Sequence, residues 1–418
     1  MPSARRTAVS PLHVEAEPAE LGFDAARLKR IDRHFTRYVD EEKLPGYLVL
    51  VARRGKIVHL ATQGRRDVEA GLPVETDTLF RIYSMTKPIT SLAAMMLYEE
   101  GAFELTDPVS AFIPSFADQQ VYLGGPARKP ETRPATAPML IWHLLTHTSG
   151  LTYGFHNLHP VDQMYRDGGF EWGSPPALDL EGCCDEWASM PLLFDPGQAW
   201  NYGVSTDVLG RVVEVASGQS LDEFFRTRIL EPLGMHDTGF SVPESEAERL
   251  AALYTADAAG RPVRNDRFGR VGSTPPRVLA GGQGLVSTAR DYHRFQQMLL
   301  RGGELDGARV IGSRTLRYMT RNHLPGGVDL ESIALGSFSE VANAGKGFGL
   351  GFAVIDDPAA AKVLSSAGEF SWGGAASTAF WVDPAEELTV LFLTQLLPSS
   401  THPIRPQLHQ LVYQALVD

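Results

Sequence analysis

One lysine in this 418-residue chain follows a serine by three positions, in Arg81-Ile-Tyr-Ser84-Met-Thr-Lys87. Residues three apart on a helix project from the same side, so the Lys87 amine can reach the Ser84 hydroxyl. A serine hydroxyl is a weak nucleophile until a neighbour takes its proton, which is what an amine at that spacing can do. The chain holds only 7 lysines against 31 arginines, and none of the other six has a serine at that offset. No serine lies in G-x-S-x-G, so the strand-to-helix nucleophile elbow of α/β-hydrolases is missing.

Two further stretches carry chemistry. Phe194-Asp-Pro-Gly-Gln-Ala-Trp-Asn-Tyr202-Gly-Val204-Ser puts a tyrosine in a turn-rich loop. Taken alone Tyr202 reads as a packed, hydrogen-bonded phenol; beside an ammonium it can pass through phenolate and accept a proton. Ser371-Trp372-Gly373-Gly374-Ala375 lies between strand-like runs, where glycines allow close backbone approach and an edge-strand N–H can serve a developing oxyanion. His143 and His147 are four apart without the intervening glutamate of H-E-x-x-H, so no metal is expected. Gly281-Gly-Gln-Gly284 lacks the Lys-Ser/Thr pair of a phosphate loop. No cofactor is expected.

The elements that must position these groups follow from periodicity. Residues 25–42 carry Leu28, Ile31, Phe35 and Tyr38 at helical spacing. The apolar runs beginning at Tyr47 and Ile57 flank Arg54-Gly55, a hairpin signal. Ser84 to Glu100 is apolar on nearly all sides, the mark of a helix in the middle of a protein. Pro88 fits only its first turn and Gly101 its end, which places Ser84 at or just before the start. Residues 102–275 loosen into Pro- and Gly-rich loops with short helices such as 208–216 and 221–229. Strand signals return at 349–355, 379–383 and 388–396, the last two flanking Pro384-Ala-Glu-Glu, and a helix over 407–417 closes the chain. The expected organisation is a sheet domain from 20–101 and 276–418, a mostly helical insert over 102–275, and a loose arm over 1–19.

Composition sets the outer bounds. At 43% hydrophobic and 21% charged the chain is globular. A net charge of −12 disfavours nucleic-acid and anionic-membrane partners, and no apolar run is long enough to span a bilayer. Cys183 and Cys184 are neighbours and too strained to pair readily, so free thiols are expected. With no signal-like apolar run after the amino-terminal arginines, the expected location is cytoplasmic.

Together, Ser84-Met-Thr-Lys87, Tyr202-Gly-Val204 and Trp372-Gly-Gly374 resemble the three motifs of the serine β-lactamase and penicillin-binding superfamily. The nearest likeness is to family VIII carboxylesterases, whose third motif is W-G-G where class C β-lactamases have K-T-G. Leu144–Leu151, Phe194–Trp200, Pro232–Phe240 and Gly281–Thr288 extend the likeness over most of the chain. It implies a fold of α+β type, an antiparallel sheet flanked by helices plus a mostly helical domain, with the active site between them. It further implies Ser84 as acylated nucleophile, Lys87 and Tyr202 sharing proton transfer, and backbone N–H groups of Ser84 and Ala375 as oxyanion hole. Tyr83, Val204, Trp372, Gly373 and Gly374 would face the substrate. Trp372 stands for a lysine that binds a substrate carboxylate, and Val204 for an asparagine that meets its amide. A small-molecule, short-chain, uncharged ester is therefore the expected substrate, with weak β-lactam hydrolysis on the side. The alternatives on the same machinery are a β-lactamase, a D-amino-acid peptidase or an acyltransferase.

Overall fold

A computed structural model describes residues 12–335 and 344–417. Most of the expected arm at 1–19 lies outside these residues; its described end leads into a 3-10 turn, Pro18–Leu21. The helical spacing over 25–42 gives a short turn followed by α1 (Arg30–Asp40), whose Ile31 and Phe35 are fully buried.

The two apolar runs form β1 (Gly46–Arg53) and β2 (Lys56–Asp67). Between them Arg54 and Gly55 both take positive φ (52° and 78°), as a two-residue hairpin turn matched to strand twist requires. A two-residue strand, β3 (Leu72–Pro73), extends this edge. The apolar helix is α2 (Lys87–Glu99); α3 (Ser205–Ser217) lies in the middle of the sequence and α4 (Ala289–Leu300) follows. Then come β4 (Lys346–Phe348), β5 (Ala353–Ile355), β6 (Phe370–Gly373), β7 (Ala379–Asp383), β8 (Leu388–Leu393) and α5 (Ile404–Tyr413).

Eight strands form one antiparallel sheet in the order β4-β5-β6-β7-β8-β1-β2-β3. Its centre joins distant parts of the chain, with Leu50 opposite Leu391. Every residue of β1 is buried, because helices cover both faces. Leu48, Leu50 and Ala52 point into a core shared with Ile89 and Leu92 of α2 and Phe295 of α4. Tyr47, Val49 and Val51 point to the opposite core, with Phe35 of α1 and Leu408 and Val412 of α5. Each such aliphatic side chain contributes on the order of 1.5–3 kcal/mol by leaving water. The antiparallel sheet flanked by helices is the expected architecture.

Several local expectations change. Of the strand expected over 349–355 only Ala353–Ile355 is strand; the residues before it form the turn from β4, with Gly351 at φ 97°. The helix expected from Ser84 starts at Lys87, preceded by a 3-10 turn, Tyr83–Thr86. The run to Leu396 leaves the sheet after Leu393, and Leu396–Leu397 pairs in parallel with Tyr254–Ala256. Cys183 and Cys184 are free and buried, and burial pushes the Cys183 thiol up to about 11. Among the described residues no helix is long and apolar enough to cross a membrane.

Candidate active site

Phe80–Arg81 pairs antiparallel with Val286–Ser287, and this short ladder delivers the chain to the Tyr83–Thr86 turn. Arg81 pins the turn from below, donating to the Ala251 carbonyl (2.6 Å) and, through its backbone N–H, to the side-chain oxygen of Gln395 (3.1 Å). Tyr83 takes φ 44°, uncommon for a residue with a side chain and a site of stored strain. From Arg81 to Met96 every side chain is buried except Tyr83 and Ser84, which are half-buried.

Lys87 is 2% exposed and its Nζ donates to three acceptors. These are Ser84 Oγ (3.3 Å), the Tyr153 phenol oxygen (3.0 Å) and the Gly282 carbonyl (2.8 Å). Tyr202, also 2% exposed, lays its ring 4.5 Å from Nζ and 5.4 Å from the Tyr153 ring. Its loop is tied to the 147–152 segment: Asn201 donates through its backbone to His147 (2.9 Å) and through its amide to Leu151 (3.0 Å). Gly203 is needed there, since a side chain at that point would fall 2.5 Å from the Leu151 carbonyl oxygen.

Asp207, on the first turn of α3, closes the circuit. It accepts the Gly282 N–H (2.9 Å), while the carbonyl of Gly282 faces Lys87. Burial raises its pKa, and the Lys87 charge pulls it back. Burial and this carboxyl together push the Tyr153 phenol well above its ordinary pKa, so it stays protonated near neutrality. His147 packs 4.9 Å from the Tyr202 ring; burial, then the Lys87 charge, hold its pKa well below the usual imidazole value. His143 sits elsewhere, accepting from the Leu140 N–H, and burial lowers it to about 4. Among the described residues no cluster of His, Cys, Asp and Glu could hold a metal.

The third motif arrives on β6. It was expected between strands, at an edge; instead β6 lies between β5 and β7. Its pairing with β5 stops at Ser371, because β5 is only three residues long, so from Trp372 onward one flank has no strand beside it. Gly374 comes so close to the turn carrying Ser84 that a side chain would lie 2.5 Å from the Ile82 carbonyl oxygen, and Gly373 is covered by the Arg405 guanidinium. Gly374 is thus required by the chain's own packing, whereas a side chain at Gly373 would meet only the flexible end of Arg405. Ala375, Trp372, Gly373 and Gly374 line with Ser84 a cleft of about 120 Å³. The Trp372 ring packs 5.5 Å from Tyr202 and 5.3 Å from Phe348, and its indole N–H is buried without a hydrogen-bond partner among the described residues. Val204 caps α3 and is 4% exposed.

The structure therefore brings Ser84, Lys87 and Tyr202 into one cluster and sets Ala375 and Trp372 on the same cleft. The sequence reading missed Tyr153, Asp207 and Gly282. Tyr153 lies two residues beyond the Leu144–Leu151 stretch, and Gly282 lies within the Gly281–Gly284 run, so one was near and the other inside a segment already singled out. Chemically, the arrangement offers a hydroxyl beside a buried amine, a phenol held protonated, and backbone at the end of a strand.

Comparison with known proteins gives one consistent result. A family model described as Beta-lactamase matches residues 31–414. The chain is 38% identical over 362 residues to Protein Rv1367c of Mycobacterium tuberculosis, covering 86% of this chain and 88% of that one. It is 36% identical over 390 residues to Esterase EstB of Burkholderia gladioli, covering 90% and 93%. Among solved structures it resembles "EstCE1, a hydrolase with promiscuous acyltransferase activity", with a TM-score of 0.75 and 28% identity over 93% of this chain and 98% of that one.

Proposed function

The chain belongs to the beta-lactamase family as a serine hydrolase of carboxylic esters, and from that premise we propose that it cleaves small, short-chain, uncharged esters through an acyl-enzyme on Ser84. The observation that carries this reading is the buried Lys87 amine 3.3 Å from Ser84 Oγ, in a cleft that also exposes Ala375.

Ser84 Oγ forms a bond to the ester carbonyl carbon as its proton passes to the Lys87–Tyr202 pair, and the carbonyl electrons move onto oxygen. The N–H groups of Ser84 and Ala375 stabilise that oxyanion, a contribution worth roughly 3–4 kcal/mol per donor in related sites. Collapse breaks the bond to the alcohol oxygen, which takes the proton back from the pair. Water then repeats the sequence on the acyl-enzyme, and Ser84 leaves protonated. Tyr153 acts through Lys87 as a positioning residue, since a phenol kept protonated offers an oxygen for the amine but no base.

Substrate class follows from the walls. Trp372, backed by the buried Phe348, places apolar surface where β-lactam-processing relatives keep polar recognition, and a cleft of about 120 Å³ is below the ~300–1,000 Å³ of drug-sized ligand sites. A second reading, acyl transfer to an alcohol in place of water, draws support from the description of EstCE1 and uses the same acyl-enzyme. A panel of p-nitrophenyl acetate, butyrate and octanoate with nitrocefin alongside tests the proposal. Fastest turnover of the short esters is expected, and faster turnover of nitrocefin overturns it.

A further inference from the structure

Four aromatic side chains run outward from the Lys87 cluster to solvent. The Tyr153 ring stacks on Phe155 (4.8 Å between centroids, 19° between planes), and Phe155 stacks on Trp172 (4.7 Å, 12°). Trp172 meets Phe268 at 5.8 Å. The row begins and ends beside the nucleophile. Tyr153 accepts from the amine that contacts Ser84, and the Phe268 carbonyl accepts from the phenol of Tyr83, the residue before Ser84 (3.5 Å). Phe268, Tyr83 and Ala375 pack on one apolar cluster, so the far end reaches the oxyanion side.

Trp172 is 42% exposed although it is the largest side chain type, and it stands on the Gly168–Pro176 loop, rich in glycine and proline. No core is completed by it. A large aromatic held in place by stacking yet left open to water offers a face on which a flat apolar group can stack.

We propose that Phe155, Trp172 and Phe268 form the subsite for the alcohol portion of the ester, selecting alcohols that carry an aromatic group. This rests on the ester-hydrolase reading above. The side of Ser84 decides between alcohol and acyl portions. The leaving oxygen must take a proton from the Lys87–Tyr202 pair, so it departs on the side where Tyr153 touches Lys87, and the aromatic row starts there. The acyl portion then occupies the narrow cleft lined by Trp372 and Gly373.

Two measurements test this. The first compares 2-naphthylmethyl acetate with ethyl acetate, whose alcohols are of similar acidity, so leaving-group chemistry changes little. Trp172→Ala is expected to lower the ratio of their kcat/KM values about tenfold, and Trp172→Phe to restore most of it. An unchanged ratio, or a shift in a matched series of acyl groups instead, overturns the assignment. The second is free of turnover: calorimetric binding of 2-naphthylmethanol to Ser84→Ala is expected to weaken at least about fivefold when Trp172→Ala is added. Equal binding by the two proteins overturns the subsite. Absence of any ester turnover by the wild type overturns the hydrolase reading alone, and the binding comparison still decides the subsite.

Discussion

The carbonyl oxygen of Ile82 occupies the space that a side chain on Gly374 would need, at 2.5 Å from the would-be Cβ. That contact presses the end of β6 onto the turn that carries Ser84. Gly374→Ala must push the two apart, so we expect kcat for ester hydrolysis to fall by on the order of 10² or more, at a stability cost of ~1–3 kcal/mol. Gly124→Ala, which meets only one side-chain oxygen at 4.0 Å, is the control. Urea titration with kinetics on both variants checks this; an unimpaired Gly374→Ala enzyme contradicts it.

Ser84 should be the only residue that a fluorophosphonate probe labels, once per chain. Ser84→Ala should lower ester turnover by about 10⁴ or more. Peptide mapping that places the label on Ser149 or Ser205, which hydrogen-bond each other at 2.8 Å, would sink the assignment.

Ser84, Lys87 and Tyr202 should behave as one unit. Lys87→Ala and Tyr202→Phe should each be severe, yet either combined with Ser84→Ala should be little worse than Ser84→Ala alone. Tyr153→Phe should be milder, roughly 10- to 10³-fold in kcat, because it removes one partner of the Lys87 amine and leaves the others. Multiplicative losses across the double mutants would contradict the scheme.

Trp372 bears on substrate charge. Trp372→Lys should narrow the gap between neutral esters and carboxylate-bearing cephalosporins, by about tenfold for each ~1.4 kcal/mol gained. Trp372→Ala opens space without adding charge. Equal shifts from both variants mean that bulk alone matters, and no shift from either removes this residue from the account of specificity.

A pH-dependent term lies away from the cleft. Asp291 accepts from the Asp237 N–H (2.7 Å) and the Thr238 hydroxyl (2.9 Å), and burial pushes it up to about 6 from 3.8. The folded protein therefore holds a proton that the unfolded chain releases first. The stability contributed by that proton is complete below about pH 4 and is lost as pH rises through about 6. Asp291→Asn should remove this loss, so the wild type should fall relative to the variant by up to ~3 kcal/mol between those limits. Denaturant midpoints measured across that range check it; parallel profiles for the two proteins would falsify the assignment.

Ser84 and the Lys87 amine were legible because their contact is local, three residues apart at a helix entrance. The aromatic third motif and Tyr202 were legible through the family likeness, and the antiparallel sheet already through the Arg54-Gly55 hairpin signal. Tyr153 and Gly282 were not, because they meet Lys87 from 66 and 195 positions away, and no periodicity encodes that meeting. The glycines at 281 and 282 matched a phosphate loop only in appearance. Their reason is tertiary: side chains there would strike the Thr206 carbonyl and the Asp207 carboxyl. The expected strand over 349–355 failed for a related reason, since Gly351 lets the chain reverse within an apolar run that otherwise reads as one strand.

The pairing of β1 with β8 has a consequence for how the protein comes into being. Thr394 hydrogen-bonds the carbonyl of Gly46, 348 residues upstream, so a ribosome must make nearly the whole chain before the central strands can meet. Throughout synthesis β1 offers its unpaired flank to solvent, and Ser84 lacks the Ala375 backbone until that segment has emerged. Non-local pairing of this kind slows folding and leaves apolar strands exposed to aggregation in the interval. A nascent chain stalled before residue 375 would thus carry Ser84 and Lys87 without the strand end that completes their cleft.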